Sequence, residues 1–226
     1  MAVIDFAAHR PGPTSHFDTT QEANHRISNQ LAVVASLVQM RASAIAQGPE
    51  MLSRSEVRCI LREAAGKIAS IAHLHRKLAQ QPNVDRIELG EFLIECCAIL
   101  ASTLAPKGSV GFVQRLDKGC YVSSQQAQSI GLIVNEVVTN SMKHAHPTGI
   151  PVEIRVACHR SADGGVEIEI MDDGVGLPEG FDYHTNGGIG FRMIRSLAES
   201  MHATTSLESD SLGVSFRLVI PCNPQS

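Results

Sequence analysis

Two stretches of helical periodicity, separated by a short breaker, set the strongest limit on how this chain can fold. In the first, running from Gln21 to about Gln47, apolar residues recur at Ile27, Leu31, Val34, Leu37 and Val38 before Gly48-Pro49 stops the helix. The second opens at Ser53, where Glu56 three residues on completes a capping box, and it carries Val57, Ile60, Leu61, Ala64, Ile68, Ile71, Leu74 and Leu78. A seam of threes and fours over that length is what lines a helical bundle. Two helices joined by a tight turn leave such a seam partly uncovered. Pairing with a second copy across a two-fold axis covers it as a dimeric four-helix bundle, and packing on the rest of the same chain is the other outlet. We expect the homodimer, because the seam is long relative to the core that a small domain can offer.

The remaining composition narrows the class. The chain has 226 residues, 43% hydrophobic and 19% charged, which calls for a packed core in one large domain or two small ones. With 19 Lys+Arg against 23 Asp+Glu, it lacks the basic excess of a general nucleic-acid surface. No apolar run approaches the roughly 18 residues that a membrane span needs. The start, MAVIDFAAHRPGPTSHF, does not have the basic-then-apolar order of a secretory signal. Cys59, Cys96, Cys97, Cys120, Cys158 and Cys222 form no C-x-x-C pair, so they read as buried thiols of a cytoplasmic protein rather than as a disulfide frame or a zinc site.

Three regions follow. Residues 1–20, with Pro11, Gly12 and Pro13, read as a flexible N-terminal arm. Residues 21–81 form the helical hairpin, and Gln80-Gln81-Pro82-Asn83 is the polar break after it. Residues 88–221 mix helices and strands. Helices are expected from Leu89 to about Leu104, from Gln125 to Ala145 behind the cap Ser123-Ser124, and from Gly190 to Met201. Strands are expected at Val110 to Leu116, Val152 to Cys158, Val166 to Met171 and Val214 to Ile220. The fold class is therefore α+β: a two-helix hairpin, then an α/β sandwich with helices on one face of a sheet.

Three segments of the second half carry chemistry. On the helix around residue 135, Glu136 and Asn140 are four apart and Lys143 and His144 continue the next turn, so the four line one polar strip. Amide, carboxylate and ammonium groups in that order suit a magnesium-bound phosphate, although a solvated helix face is equally compatible with the spacing. At the end of an alternating strand stand Asp172-Asp173-Gly174-Val-Gly176, where a carboxylate can accept from the exocyclic amine of adenine and glycine allows close backbone approach; an ordinary Asp-Gly turn is the simpler reading. Last, Gly187-Gly188-Ile-Gly190 leads into a helix whose free amides suit an anion. Between the last two lies Glu179 to Asn186, expected to be a mobile lid.

The order N-x-x-K-H helix, strand ending in D-x-G-x-G, short lid and G-x-G before a helix resembles the GHKL (Bergerat) ATPase fold. That resemblance implies ATP and Mg2+ as cofactors. Asp172 would contact adenine, Asn140 would hold magnesium, Lys143 and His144 would lie near the phosphates, and Gly174, Gly176, Gly188 and Gly190 would shape the nucleotide loops. No Walker A pattern exists in the chain.

The first helix decides among the activities of that fold. Its segment Glu22-Ala-Asn-His25-Arg26-Ile-Ser-Asn29-Gln-Leu31 sets His25 roughly opposite the stripe Ile27, Leu31, Val34 and Val38, at about 100° per residue. Together with Ile71-Ala-His-Leu-His75 at the end of the second helix, it resembles the H-R-x-x-N subgroup of two-component sensor histidine kinases, related to the HWE kinases. The chain lacks Trp, so the W-x-E element is missing, and Asn135 stands where the HWE group has its histidine. The resemblance implies autophosphorylation of His25 and transfer to an aspartate of a response-regulator receiver domain, with Glu136 in the catalytic set. Asn29 would orient a water for dephosphorylation and Glu22 would orient the imidazole. Arg26 replaces the acidic residue that often follows the histidine, Phe191 stands where Leu is usual, Val214 follows Gly213 where Thr is common, and Met201-His202-Ala203 replaces a glycine-rich turn. Input would come from a separate sensory protein or from a part of a larger chain. A histidine phosphotransferase with a degenerate ATP domain and a GHKL serine kinase acting as an anti-sigma factor are the alternatives.

Overall fold

The computed structural model describes residues 51–79, 86–104, 108–146, 149–161, 163–183 and 188–222, together with Ala35, Val38, Gln39, Ala42, Ile45 and Ala46, which are helical. The expectations for the arm 1–20, for Glu22, His25, Arg26 and Asn29, and for the break at Gln80 to Asn83 lie outside the described residues. The chain divides into two compact units, Met1–Glu50 and Met51–Ser226.

The second unit opens with α1 (Arg54–Ala79). Its capping box is formed: the Ser53 amide donates to Glu56 Oε2 at 2.7 Å and the Glu56 amide donates to Ser53 Oγ at 3.2 Å. Those bonds, the Ser53 contacts foremost, lower the Glu56 carboxyl below its ordinary value. Val57, Leu61 and Ile68 of the expected seam are exposed at 40%, 63% and 37%. At about 100° per residue these three fall on one side of α1, and the buried Gly66 falls on the opposite side.

A short β1 (Arg86–Glu88) leads straight into α2 (Leu89–Leu104), and β3 (Tyr121–Ser123) leads straight into α3 (Ser124–His144). The two strands pair antiparallel, Ile87 opposite Val122, so this small sheet aligns the starts of both helices. Neither three-residue strand is expected from the sequence, being too short to show a period. Ser123 caps α3 as foreseen, with Gln126 returning the bond to the Ser123 amide at 2.9 Å.

The main sheet has the order β2-β4-β5-β7-β6, from β2 (Val110–Leu116), β4 (Val152–Arg160), β5 (Val166–Asp172), β6 (Thr204–Asp210) and β7 (Gly213–Ile220). β2 and β4 run parallel, Val110 opposite Val152, and parallel neighbours need a crossover, which α3 supplies. The other pairs are antiparallel. Alternation puts Ile154, Val156, Ile168, Ile170, Phe216 and Leu218 on the inner face at 1% exposure or less, against Ile130, Ile133 and Val134 of α3 and Leu93 of α2. Each such side chain contributes about 1.5–3 kcal/mol by leaving water. Edge strand β6 is absent from the sequence reading, because in Thr204-Thr-Ser-Leu-Glu-Ser-Asp210 only Leu207 is a large apolar residue.

Of the described cysteines, Cys97, Cys120 and Cys158 are buried as expected, Cys96 is half-buried and Cys222 is exposed. Burial pushes the Cys97 thiol up to about 11, with a Gln114 contact pulling the other way, and it also raises Cys120 and Cys158. These thiols are inert core groups.

The last helix, α4 (Ile189–Ser200), ends in a paired-bond cap: the Ala203 amide donates to the Ala198 carbonyl at 2.9 Å and the His202 amide to Glu199 at 3.0 Å. His202 occupies the left-handed position with φ 55°, where glycine is the unstrained choice. His202→Gly is expected to stabilise the protein by about 1 kcal/mol, read as a higher urea midpoint at unchanged slope. An unchanged or lower midpoint would contradict the strain assigned here.

Candidate functional site

The site assembles where the C-terminal end of α3, the end of β5, the start of β7 and the start of α4 meet. α3 crosses over between parallel strands and is covered on nearly all sides, so its polar residues Ser129, Asn135, Glu136, Thr139 and Ser141 are buried. A buried polar group needs a partner, and Ser141 finds its own in Asp172.

Asp172 is the best-anchored of them. Its Oδ2 accepts the Ser141 hydroxyl at 2.7 Å, and its Oδ1 accepts the amides of Gly174 at 3.1 Å and Val214 at 3.2 Å. Both oxygens of this carboxyl group thus serve as hydrogen-bond acceptors. Asp173, next along the strand, points the other way. Its Oδ1 accepts the Glu153 amide at 2.9 Å and lies 3.0 Å from His146 Nε2, tying the start of β4 to the end of α3. Partial burial pulls the Asp173 carboxyl up, but the Glu153 amide and His146 outweigh it and leave it below its ordinary value of 3.8.

The glycines have distinct tasks. A Cβ on Gly174 would collide with the backbone of Ala145, where the Val175 amide donates to the Ala145 carbonyl at 2.9 Å. Gly176 has φ 76° and sits against the Asp210 carbonyl, while the Leu177 amide donates to Ser209 Oγ at 2.8 Å. The D-x-G-x-G loop is thus clamped between α3 and the β6–β7 turn. Gly190 lies directly over the Glu136 carboxylate, which a Cβ there would overlap. Gly188, by contrast, faces open space, and as the cap of α4 it makes no side-chain bond to the first turn.

The expected polar strip is therefore graded in depth. Glu136 is buried beneath the first turn of α4, Asn140 is half-buried, and Lys143 and His144 are exposed. Asn135 is buried with its Nδ2 unpartnered, and its Oδ1 receives only a long 3.4 Å bond from Thr139. The front of the expected lid makes specific contacts. Phe191 stands between Phe181 and Tyr183, with ring centres 6.1 and 6.0 Å away, the Tyr183 hydroxyl donates to the Thr205 carbonyl at 3.2 Å, and Arg195 Nη1 donates to the Tyr183 carbonyl at 2.8 Å. The rest of the lid, residues 184–187 with Gly187, lies outside the described residues.

Sequence reasoning missed Ser141, Gly213 and His146. The signal for Ser141 is a small hydroxyl residue inside a helix rich in β-branched apolar neighbours, which needs an acceptor outside its own turn. Gly213, at φ 138° with its α-carbon against the Asp172 carbonyl, was noted only for the residue after it.

Comparison with known proteins gives two adjoining matches. Residues 22–104 match the family described as histidine kinase, and residues 125–224 match the histidine kinase-, DNA gyrase B- and HSP90-like ATPases. The sensor histidine kinase PdtaS of Mycobacterium tuberculosis is 26% identical over 183 residues, 80% of this chain and 34% of its own length. Blue-light-activated histidine kinase 2 of Erythrobacter litoralis is 25% identical over 207 residues, 90% of this chain and 57% of its own. This chain thus spans between a third and just over half of those relatives. The solved histidine kinase domain of the blue-light activated kinase of Erythrobacter litoralis shares the fold at a TM-score of 0.62 and 20% identity, covering 83% of this chain and 95% of that one.

Two outcomes are expected from this geometry. Gly190→Ala costs about 1–3 kcal/mol in denaturant unfolding through overpacking against Glu136, and Glu136→Ala in the same chain recovers part of that loss. Equal and additive effects would contradict the contact. Because the folded Asp173 carboxyl is lowered, its contribution to stability is present above pH 3.8 and is lost as pH falls below it. Asp173→Asn should therefore flatten the acid limb of a stability-against-pH curve, and an unaltered limb would refute the assignment.

Proposed function

We propose that this chain, as a member of the histidine kinases, phosphorylates itself on His25 of its H-R-x-x-N segment with ATP and passes the phosphoryl group to an aspartate of a response-regulator receiver domain. The observation that carries the nucleotide part is the Ser141–Asp172 hydrogen bond. It ties the carboxylate at the end of β5 to the residue that follows Asn140 on α3, which supports reading Asp172 as the adenine-binding acid and Asn140 as the metal-binding amide of one site.

The residues present fit the nucleotide. Asp172 keeps a lone pair for the exocyclic amine of adenine, the half-buried Asn140 offers an amide oxygen to a hard cation, and the uncapped start of α4 at Gly188 offers amides to phosphate. Magnesium, bound there, would neutralise phosphate charge and leave the γ-phosphorus open to attack. Lys143 and His144, exposed one turn beyond Asn140, would add positive charge and hydrogen bonds at the phosphates. Glu136 would keep its carboxylate behind the first turn of α4 and orient that turn toward the nucleotide.

His25 supplies the nucleophile. The lone pair of its neutral imidazole forms the N–P bond as the bond from the γ-phosphorus to the bridging oxygen breaks, ADP leaves with that electron pair, and the ring sheds a proton. An aspartate carboxylate of the receiver then forms an O–P bond as the N–P bond breaks with its electron pair left on the ring nitrogen, and that nitrogen takes a proton from solvent, returning His25 to its starting state. Asn29, one turn on, would orient a water for the reverse task of dephosphorylation. The exposed stripe Val57, Leu61 and Ile68 supports a homodimer built on the hairpin. Because this chain spans only part of its relatives, the sensory input is proposed to come from a partner protein or from further chain. Among the described residues, no helix is long and apolar enough to cross a membrane.

Incubation with γ-labelled ATP and magnesium tests the proposal. Wild-type protein should take up acid-labile, base-stable label, and His25→Ala should take up none. Label acquired only from a phosphorylated receiver would identify a phosphotransferase relay instead, and acid-stable label on serine would identify the anti-sigma class.

A further inference from the structure

Around the Asp172 carboxylate the donors are unevenly spread. Oδ1 is filled by two backbone amides, those of Gly174 and Val214, which come with the fold whatever the side chains are. Oδ2 is held by one side chain, Ser141, through a bond of 2.7 Å from a residue only 7% exposed. Position 214 adds its amide but, being valine, no hydroxyl. A carboxylate has about four lone-pair sites, so three donors leave one, and it lies on the oxygen that Ser141 touches.

We propose that Ser141 is a positioning residue for base recognition: its hydroxyl fixes the Asp172 carboxylate so that the remaining lone pair of Oδ2 faces the exocyclic amine of a 6-aminopurine and rejects a 6-oxopurine. The inference rests on the ATP-site reading above and deepens it. Without Ser141 the carboxylate would be held through Oδ1 alone, Oδ2 could pivot about that anchor and offer its lone pairs over a wider range, and discrimination between bases would weaken. Held by Ser141, it presents an acceptor at one place. The 6-amino group fills that acceptor with a donor. The carbonyl of a 6-oxopurine would set two acceptors against each other in a partly buried site, which is the costly mismatch. α3 makes the arrangement rigid, because Ser141 follows Asn140 directly and a buried helix cannot move one without the other.

The test compares ATP with inosine triphosphate and with the triphosphate of unsubstituted purine riboside, by equilibrium binding to wild-type protein and to Ser141→Ala. Wild type is expected to prefer ATP over both. Ser141→Ala should lose about tenfold in ATP affinity while binding the unsubstituted purine nucleotide as wild type does, so that the preference for ATP collapses. Ser141→Thr, which keeps the hydroxyl, should retain the preference. A merely structural role would lower the affinity for all three nucleotides together, and that result, or a preference unchanged in Ser141→Ala, would overturn the proposal while leaving the ATP site standing. Wild-type protein that binds none of the three would overturn the ATP reading itself and this inference with it.

Discussion

The packing of this protein around its site depends on where one carboxylate sits. Asp172 belongs to β5, yet its oxygens are bound by α3, by the loop that follows it and by β7, and its carbonyl is covered by Gly213. An intramolecular hydrogen bond contributes about 0.5–1.5 kcal/mol, and these three converge on one group. They bring a helix end, a strand end and a turn to a common point. Two glycines make that convergence possible, Gly174 against Ala145 and Gly213 against Asp172, and neither place has room for a Cβ.

The route of the chain explains why the chemistry gathers on α3. β2 and β4 lie side by side and parallel, so the connection between them must cross the sheet, and the crossing helix becomes the centre of the helical layer. A helix covered on nearly all sides has little solvent face on which to leave polar groups. Glu136 and Ser141 are therefore fixed by contacts to other elements, and Asn140, Lys143 and His144 emerge only as the helix nears the loops. Depth along one helix sorts its polar residues into those that hold the architecture and those that can meet a ligand.

Much of this was legible in the sequence, and the exceptions have a common cause. Periodicity located α2, α3, α4 and the strands β2, β4, β5 and β7, since each is long enough to show a repeat or alternates between a buried and a wet face. It missed β1 and β3, which are too short, and β6, whose exposed Thr, Ser and Glu residues give no apolar alternation. Motif spacing picked out Asp172 and Asn140, but it took Glu136, Asn140, Lys143 and His144 for one polar strip, because helical spacing says which residues share a side and not which of them another helix covers. Ser141 was passed over for the same reason: its partner lies 31 residues away in sequence. The composition of Glu179 to Asn186 gave no sign of the ring contacts that Phe191 makes with Phe181 and Tyr183, which only the fold brings together.

Helix α1 shows how an expectation about a seam divides once the chain is folded. The apolar residues expected along it cannot all have the same task, because α1 packs on α2 and α3 as well as leaving Val57, Leu61 and Ile68 exposed. The buried Gly66 lies on the side away from that exposed stripe, and a glycine within a helix costs about 1 kcal/mol relative to alanine. A loss of that size in the middle of a 26-residue helix is tolerable where packing repays it. Two faces of the same helix then serve two ends: one is taken up within the unit, and the other keeps an apolar stripe at the spacing that a neighbouring helix would fill. Of the two outlets weighed for the seam, packing within the chain is thus taken by one side of α1, while the other side leaves its apolar stripe exposed.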